Sequence, residues 1–175
     1  ELAQLLSTAQ RSAALLQPKL DLLCATLEAG AADRAAEEEP RWQAGYDLAY
    51  GRALAAQVRT AGYHMMLAKA KQGMPFTRER SNTWVLEPSG DFAATSLERR
   101  AEEATNSLRR VASDHPGTPW AMLAERELST PLGWRWDEAF SYLPPREDGG
   151  NGGNRPPRRN PPAPEGPPRR NPPPL

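Results

Sequence analysis

The chain has 175 residues, and its 22 lysines and arginines balance 22 aspartates and glutamates. A body this close to neutral has no electrostatic footprint for nucleic acid, and no run approaches the roughly 18 apolar residues of a membrane-spanning helix. Cys24 is the single cysteine, which excludes an internal disulfide and leaves the compartment open. The first residue is Glu1 rather than methionine, so a fragment or a processed product is expected, and no signal peptide is visible. Composition changes at Pro144. The segment 144–175 holds twelve of the nineteen prolines, which divides the chain into a helical domain, 1–143, and a disordered Pro/Arg/Asn/Gly-rich tail, 144–175.

Residues 1–29 place Leu2, Leu6, Ala9, Ala13, Leu16, Leu20, Leu23 and Leu27 at alternating steps of four and three, a heptad seam. Pro18 lies on the side opposite the seam and is expected to kink or split the helix. Gly30 is a plausible stop, with 31–39 as a connector. The seam has two readings. It forms an intramolecular hairpin with the next helix, or it is a coiled coil that continues an upstream helix or pairs two chains as an oligomer.

The next helix, 40–71, is the clearest in the chain. Pro40 suits a first helical position, where its missing N–H would be unpaired anyway. Trp42, Tyr46, Tyr50, Leu54, Val58, Ala61, Met65 and Ala68 recur at the amphipathic period. Gly45, Ala49, Ala53 and Ala56 form a second ridge, whose small side chains let a neighbouring helix approach closely. Gly45, Gly51 and Gly62 each cost the helix about 1 kcal/mol relative to alanine. Close packing accounts for the first two but not for Gly62.

Residues 72–94 break the period at Gly73, Pro75, Pro88 and Gly90, with one short extended run over 83–86. They are read as a long loop, either pinned in helix grooves by Phe76, Trp84 and Phe92 or serving as a binding loop. Ser96 is the expected cap of a helix running to about Ser113, and Asp114–Gly117 ends it. Thr118 caps a second helix with Pro119 at its first position. Ser129–Pro131 stops that helix, and Leu132, Trp134, Trp136 and Phe140 form an apolar return segment. The expected fold is therefore all-α, built from antiparallel helical hairpins. The second hairpin resembles a single tetratricopeptide (TPR) unit, although a solenoid needs about three.

Several strings carry a family resemblance. They are PRWQAGYDLAYGR at 40–52, AAQVRTAGY at 55–63, LAKAKQGM at 67–74, NTWVLEP at 82–88 and DHPGTPWAMLAERELSTPLGWRW at 114–136. Over roughly Leu16 to Phe140 the chain resembles the C-terminal helical region of the von Willebrand factor type A (VWA) domain proteins of planctomycete bacteria. The resemblance implies an upstream VWA domain, a hydrophobic anchor before it and hence membrane association of the full-length protein. The Asp-x-Ser-x-Ser metal signature of VWA domains is absent here, so no metal role follows, and the helical region brings no assigned chemistry.

The residues themselves suggest no reaction. His64 and His115 are far apart, with no His-x-x-x-His and no clustered carboxylates, which makes a poor metal site. Cys24 flanks an apolar seam, where thiols are usually inert. No Walker loop or Gly-x-Ser-x-Gly is present. A non-enzymatic chain without catalytic, cofactor or metal residues is expected, acting as a helical protein-interaction or scaffold module. The tail offers the candidate partner-binding residues. It repeats PPRRNPP at 156–162 and 167–173. Arg158, Pro161 and Pro164, and then Pro164, Pro167 and Arg169, match proline-ligand patterns of both orientations. Its six arginines against three acids, an excess of three positive charges, also suit a polyanion such as anionic lipid, cell-wall polymer or nucleic acid, and the third reading is a disordered tail with no dedicated partner.

Overall fold

The protein's architecture was obtained as a computed structural model, which describes residues 2–142. In chain order it contains α1 (Leu2–Ala29), α2 (Ala31–Ala36), α3 (Pro40–Lys71), β1 (Thr83–Ser89), α4 (Thr95–Asp114), α5 (Pro119–Leu128) and β2 (Gly133–Ala139). The chain is mostly helical but not all-α. β1 and β2 pair antiparallel, with Leu86 opposite Trp136 and Ser89 opposite Gly133. The tail residues Arg158, Pro161, Pro164, Pro167 and Arg169, and the expected disorder around them, lie outside the described residues.

α3 is the central element, packed by α1, α4, α5 and β2. Burial accordingly extends around much of α3 rather than along one stripe. Leu54, Ala55 and Val58 are all closed off, and so are Ala44, Leu48 and Leu67, while Trp42 and Met65 at the ends of the expected stripe are exposed. Pro40 takes the first helical turn as expected, whereas Ser96 is not the cap, because α4 begins at Thr95 behind Ala94, two residues earlier than expected. Thr118 does cap α5, its hydroxyl accepting from the Ala121 N–H. Gly117, at φ +73°, makes the left-handed turn between α4 and α5 that a side chain would strain.

α1 runs unbroken through Pro18. Pro18 and Ala14, one turn back, are both exposed, a place where water can replace the bond that the proline cannot give. The buried line of α1 is also displaced from the expected seam. Ala13 and Cys24 are buried, while Leu16 and Leu23 are about half exposed. Residues 31–36, expected as a connector, form the short helix α2.

α2 is held by charge. Asp47 on α3 is buried, and its carboxylate accepts three hydrogen bonds from Arg34 of α2, the shortest 2.6 Å, and one from Arg110 of α4 at 3.3 Å. A buried carboxylate is tolerated only with such partners. The bonds to Asp47 hold the Arg34 guanidinium above its ordinary pKa.

The β1–β2 ribbon lies across α3 through two tryptophans. The indole N–H of Trp134 donates to the Arg59 carbonyl at 2.9 Å, and that of Trp136 to the Met66 carbonyl at 3.0 Å. Trp134 explains Gly62. A Cβ there would lie 3.1 Å from the indole Cδ1. Gly51 is the second close approach, since a Cβ there would lie 2.7 Å from Leu108 Cγ of α4.

Candidate functional site: an open groove between α1 and α5

The small-residue ridge of α3 does not meet a helix along its whole length. Ala53 is buried against Cys24, Leu27 and Tyr50. Ala49 is exposed, and a Cβ built on Gly45 would meet nothing within 4 Å. Gly45, Ala49 and Ala56, with the buried Ala53 beneath them, floor an open groove of about 440 Å³, walled by Leu20 and Leu23 of α1 on one side and Trp120 of α5 on the other. Further along the same side of α1 lies a second depression of about 430 Å³, between Ala9, Ala13 and Leu16 and the Tyr63 and Trp134 rings.

The geometry follows from the spacing of the helices. α1 leans toward the Ala53 side of α3, and α4 covers the Gly51 side. The short α5 reaches α3 near Leu48, Arg52 and Arg59, and the strip between α1 and α5 is left without a covering element among the described residues.

Polar groups at the groove rim are engaged with one another. Glu127 of α5 pairs with both Arg59 and Arg52. Arg59 also donates to the Glu127, Thr130 and Pro131 carbonyls at the C-terminal end of α5, where a cation complements the helix dipole. The groove thus combines an apolar floor with a neutralised polar edge.

The other candidate residues are dispersed. His64 is exposed on α3, while His115 follows the last turn of α4 and accepts from the Thr118 hydroxyl through its carbonyl. Cys24 is buried in the core, and burial pushes its thiol above the ordinary value. Tyr50 is pushed up to about 12 by burial and by the neighbouring Glu28 and Glu103 carboxylates. Glu28 also pairs with Arg100 across α1 and α4. Among the described residues no group of three or more His, Cys, Asp or Glu is placed to hold a metal, and no helix is long and apolar enough to cross a membrane.

Sequence reasoning did not anticipate the Glu138 lock. Glu138 of β2 is buried, and its carboxylate accepts from the Thr77 hydroxyl at 2.6 Å and from the Thr77 and Arg78 N–H groups at 2.8 and 2.9 Å. These bonds, the Thr77 hydroxyl first, hold its pKa at about 2. The site is filled by its own loop. Its role is to pin residues 77–81 to the ribbon, and it leaves no vacancy for a ligand.

Comparison of the chain with protein-family models, with curated proteins and with solved structures finds no match.

Proposed function

We propose that the chain is a non-catalytic helical interaction module whose groove between α1 and α5 receives an apolar helix of a protein partner. The observation that carries this reading is the uncovered floor of Gly45, Ala49 and Ala56 between leucine and tryptophan walls. Small residues along an open helix face permit the close approach that helix-in-groove recognition uses. The strings at 40–52 and 114–136 support a place for the module in the C-terminal part of a larger VWA-type protein, anchored upstream at a membrane. The α4–α5 hairpin, with its Thr118–Pro119 start, supports a tetratricopeptide-like unit as part of that surface.

Selection of displayed peptides against the immobilised chain tests the reading. Amphipathic helical peptides are expected to be enriched, and Ala49→Arg is expected to abolish their binding without moving the melting temperature. Failure to enrich any peptide, or binding that survives Ala49→Arg, would refute the groove as the interaction site.

A second reading rests on the composition of 144–175, with six arginines against three acids. The tail would contact an anionic lipid or polymer by screened attraction. Co-sedimentation with anionic vesicles is then expected to fall as salt rises and to vanish when 144–175 is removed. Binding that persists in the shortened chain would move the site to the helices.

A further inference from the structure

We propose that the cavity where α2 lies on the first turns of α3 binds an organic cation carried on a short apolar stem. Trp42 and Tyr46 pack the stem, and the Asp33 and Glu37 carboxylates pair the charge. The site shares no residue with the groove between α1 and α5, and the inference does not depend on that groove.

Two pairs of residues one turn apart build the site. Trp42 and Tyr46 belong to α3, while Asp33 lies in α2 and Glu37 closes it. Arg34, beside Asp33 in the sequence, is bonded to the buried Asp47 and so lays α2 on α3. The result is a cavity of about 350 Å³ lined by Gly30, Asp33, Arg34, Glu37, Trp42 and Tyr46. Small-molecule and side-chain sites have volumes of this order.

Charge at the cavity is unequal. Arg34 is the one cation that lines it, and three hydrogen bonds commit its guanidinium to Asp47. Asp33 is exposed and has no hydrogen-bond or ion-pair partner among the described residues. Glu37 accepts from the Glu39 N–H, which leaves its charge without a cation. Glu38 and Glu39 follow, so over residues 33–39 four carboxylates stand against one committed arginine. A negative local potential draws a positive ligand. The carboxylates also act on the rings: burial first, then Asp47, Glu28 and Asp33, raise the Tyr46 phenol above its ordinary value.

The rings select the kind of cation. Trp42 is 59% exposed, and the Arg41 guanidinium lies over its ring, 4.9 Å from the centroid. This indole therefore already holds a cation of its own chain by cation–π attraction. Arg41 is not among the residues that line the cavity, so the part of Trp42 inside it is left for a ligand. Tyr46 spends its hydroxyl on the Leu27 carbonyl and offers the cavity its ring. A bare metal ion would use the carboxylates and not the rings. A neutral apolar ligand would use the rings and strip water from unpaired carboxylates. A cation on an alkyl stem, as in lysine, arginine or choline, meets both needs.

Titration of the full chain, followed through its amide and indole N–H resonances, tests the inference. The probes are Nα-acetyl-lysine methylamide, Nα-acetyl-arginine methylamide and choline, with Nα-acetyl-norleucine methylamide as the neutral control. The cations are expected to shift the Trp42 indole and the amides of residues 30–37 saturably at millimolar concentration, and the norleucine amide is expected not to. Trp42→Ala, and Asp33→Asn with Glu37→Gln, should each weaken binding by about tenfold, read from the same amides. Resonances away from the cavity that stay in place will show that each variant remains folded. Binding by the blocked amides assigns the cation to a side chain of a partner protein, and binding by choline alone assigns it to a free quaternary ammonium. Absence of a saturable shift with every cation overturns the inference. So does equal binding of the norleucine amide, or binding undiminished in either variant.

Discussion

Two glycines on α3 look alike in the sequence but do opposite things. Gly51 sits against Leu108 and the Ala104 carbonyl, while Gly45 faces open space. In Gly51→Ala the new methyl must displace α4, and the overpacking cost of about 1–3 kcal/mol outweighs the helix-propensity gain of about 1 kcal/mol. Gly45→Ala meets no obstacle and should stabilise by about 0.5–1 kcal/mol. Chemical denaturation of the two variants should move the midpoint in opposite directions. Equal shifts would show that α4 does not close on Gly51. Glu138 supplies a pH signature at the same scale. Its folded pKa, about 2, lies below the ordinary 4.5, so its bonds stabilise the fold above the ordinary value, and that contribution is lost as pH falls through the folded one. Acid titration should show wild-type stability converging on that of Glu138→Gln between about pH 4.5 and pH 2. A constant difference across that window would mean that the carboxylate is not held by Thr77 and Arg78.

At the scale of elements, α3 separates packed from open positions only four residues apart. Ala53→Leu inserts three carbons between α3 and the Cys24–Leu27 stretch of α1 and should destabilise by about 1–3 kcal/mol. Ala49→Leu points into the groove and should stay within about 0.5 kcal/mol of wild type, as an exposed substitution does. Thermal melts of the pair measure the width of the α1–α3 contact. A large loss for Ala49→Leu would place α5 closer than the groove allows. The β1–β2 ribbon shows why one element class was missed. Trp134, Trp136 and Glu138 alternate with Arg135 and Asp137, a period of two that marks a strand. On the other strand Pro88 interrupts the pattern, and the pairing joins segments about fifty residues apart, so neither run alone announces its partner.

For the whole molecule, composition and structure bear on different parts of the chain. Residues 1–141 form one compact unit. The segment 144–175 has almost no large apolar side chain to add to a core. Its removal should leave the melting temperature of the remaining chain within error, measured by calorimetry on the full and shortened chains. A drop of several degrees would make the segment part of the folding unit and move the domain boundary beyond Pro144.

The sequence alone determined what local physics controls. The position of α3 follows from Pro40 and the apolar period, and the start of α5 from Thr118 and Pro119, because caps and periodicity act within one or two turns. It also determined that α1 would be an apolar helix, but not which leucines it buries. That choice depends on how α1 leans against α3, and the difference between Leu23 and Cys24 is a rotation of one residue. Only the tertiary structure decided that Asp47 would be sealed by Arg34 and Arg110, that Trp134 would lie on Gly62, and that the small-residue ridge would floor a groove with only Ala53 of its four residues buried. Each of these depends on residues distant in sequence arriving at one place. Their side chains carry no local signal of that meeting, because the energy that selects it arises only when the helices are packed.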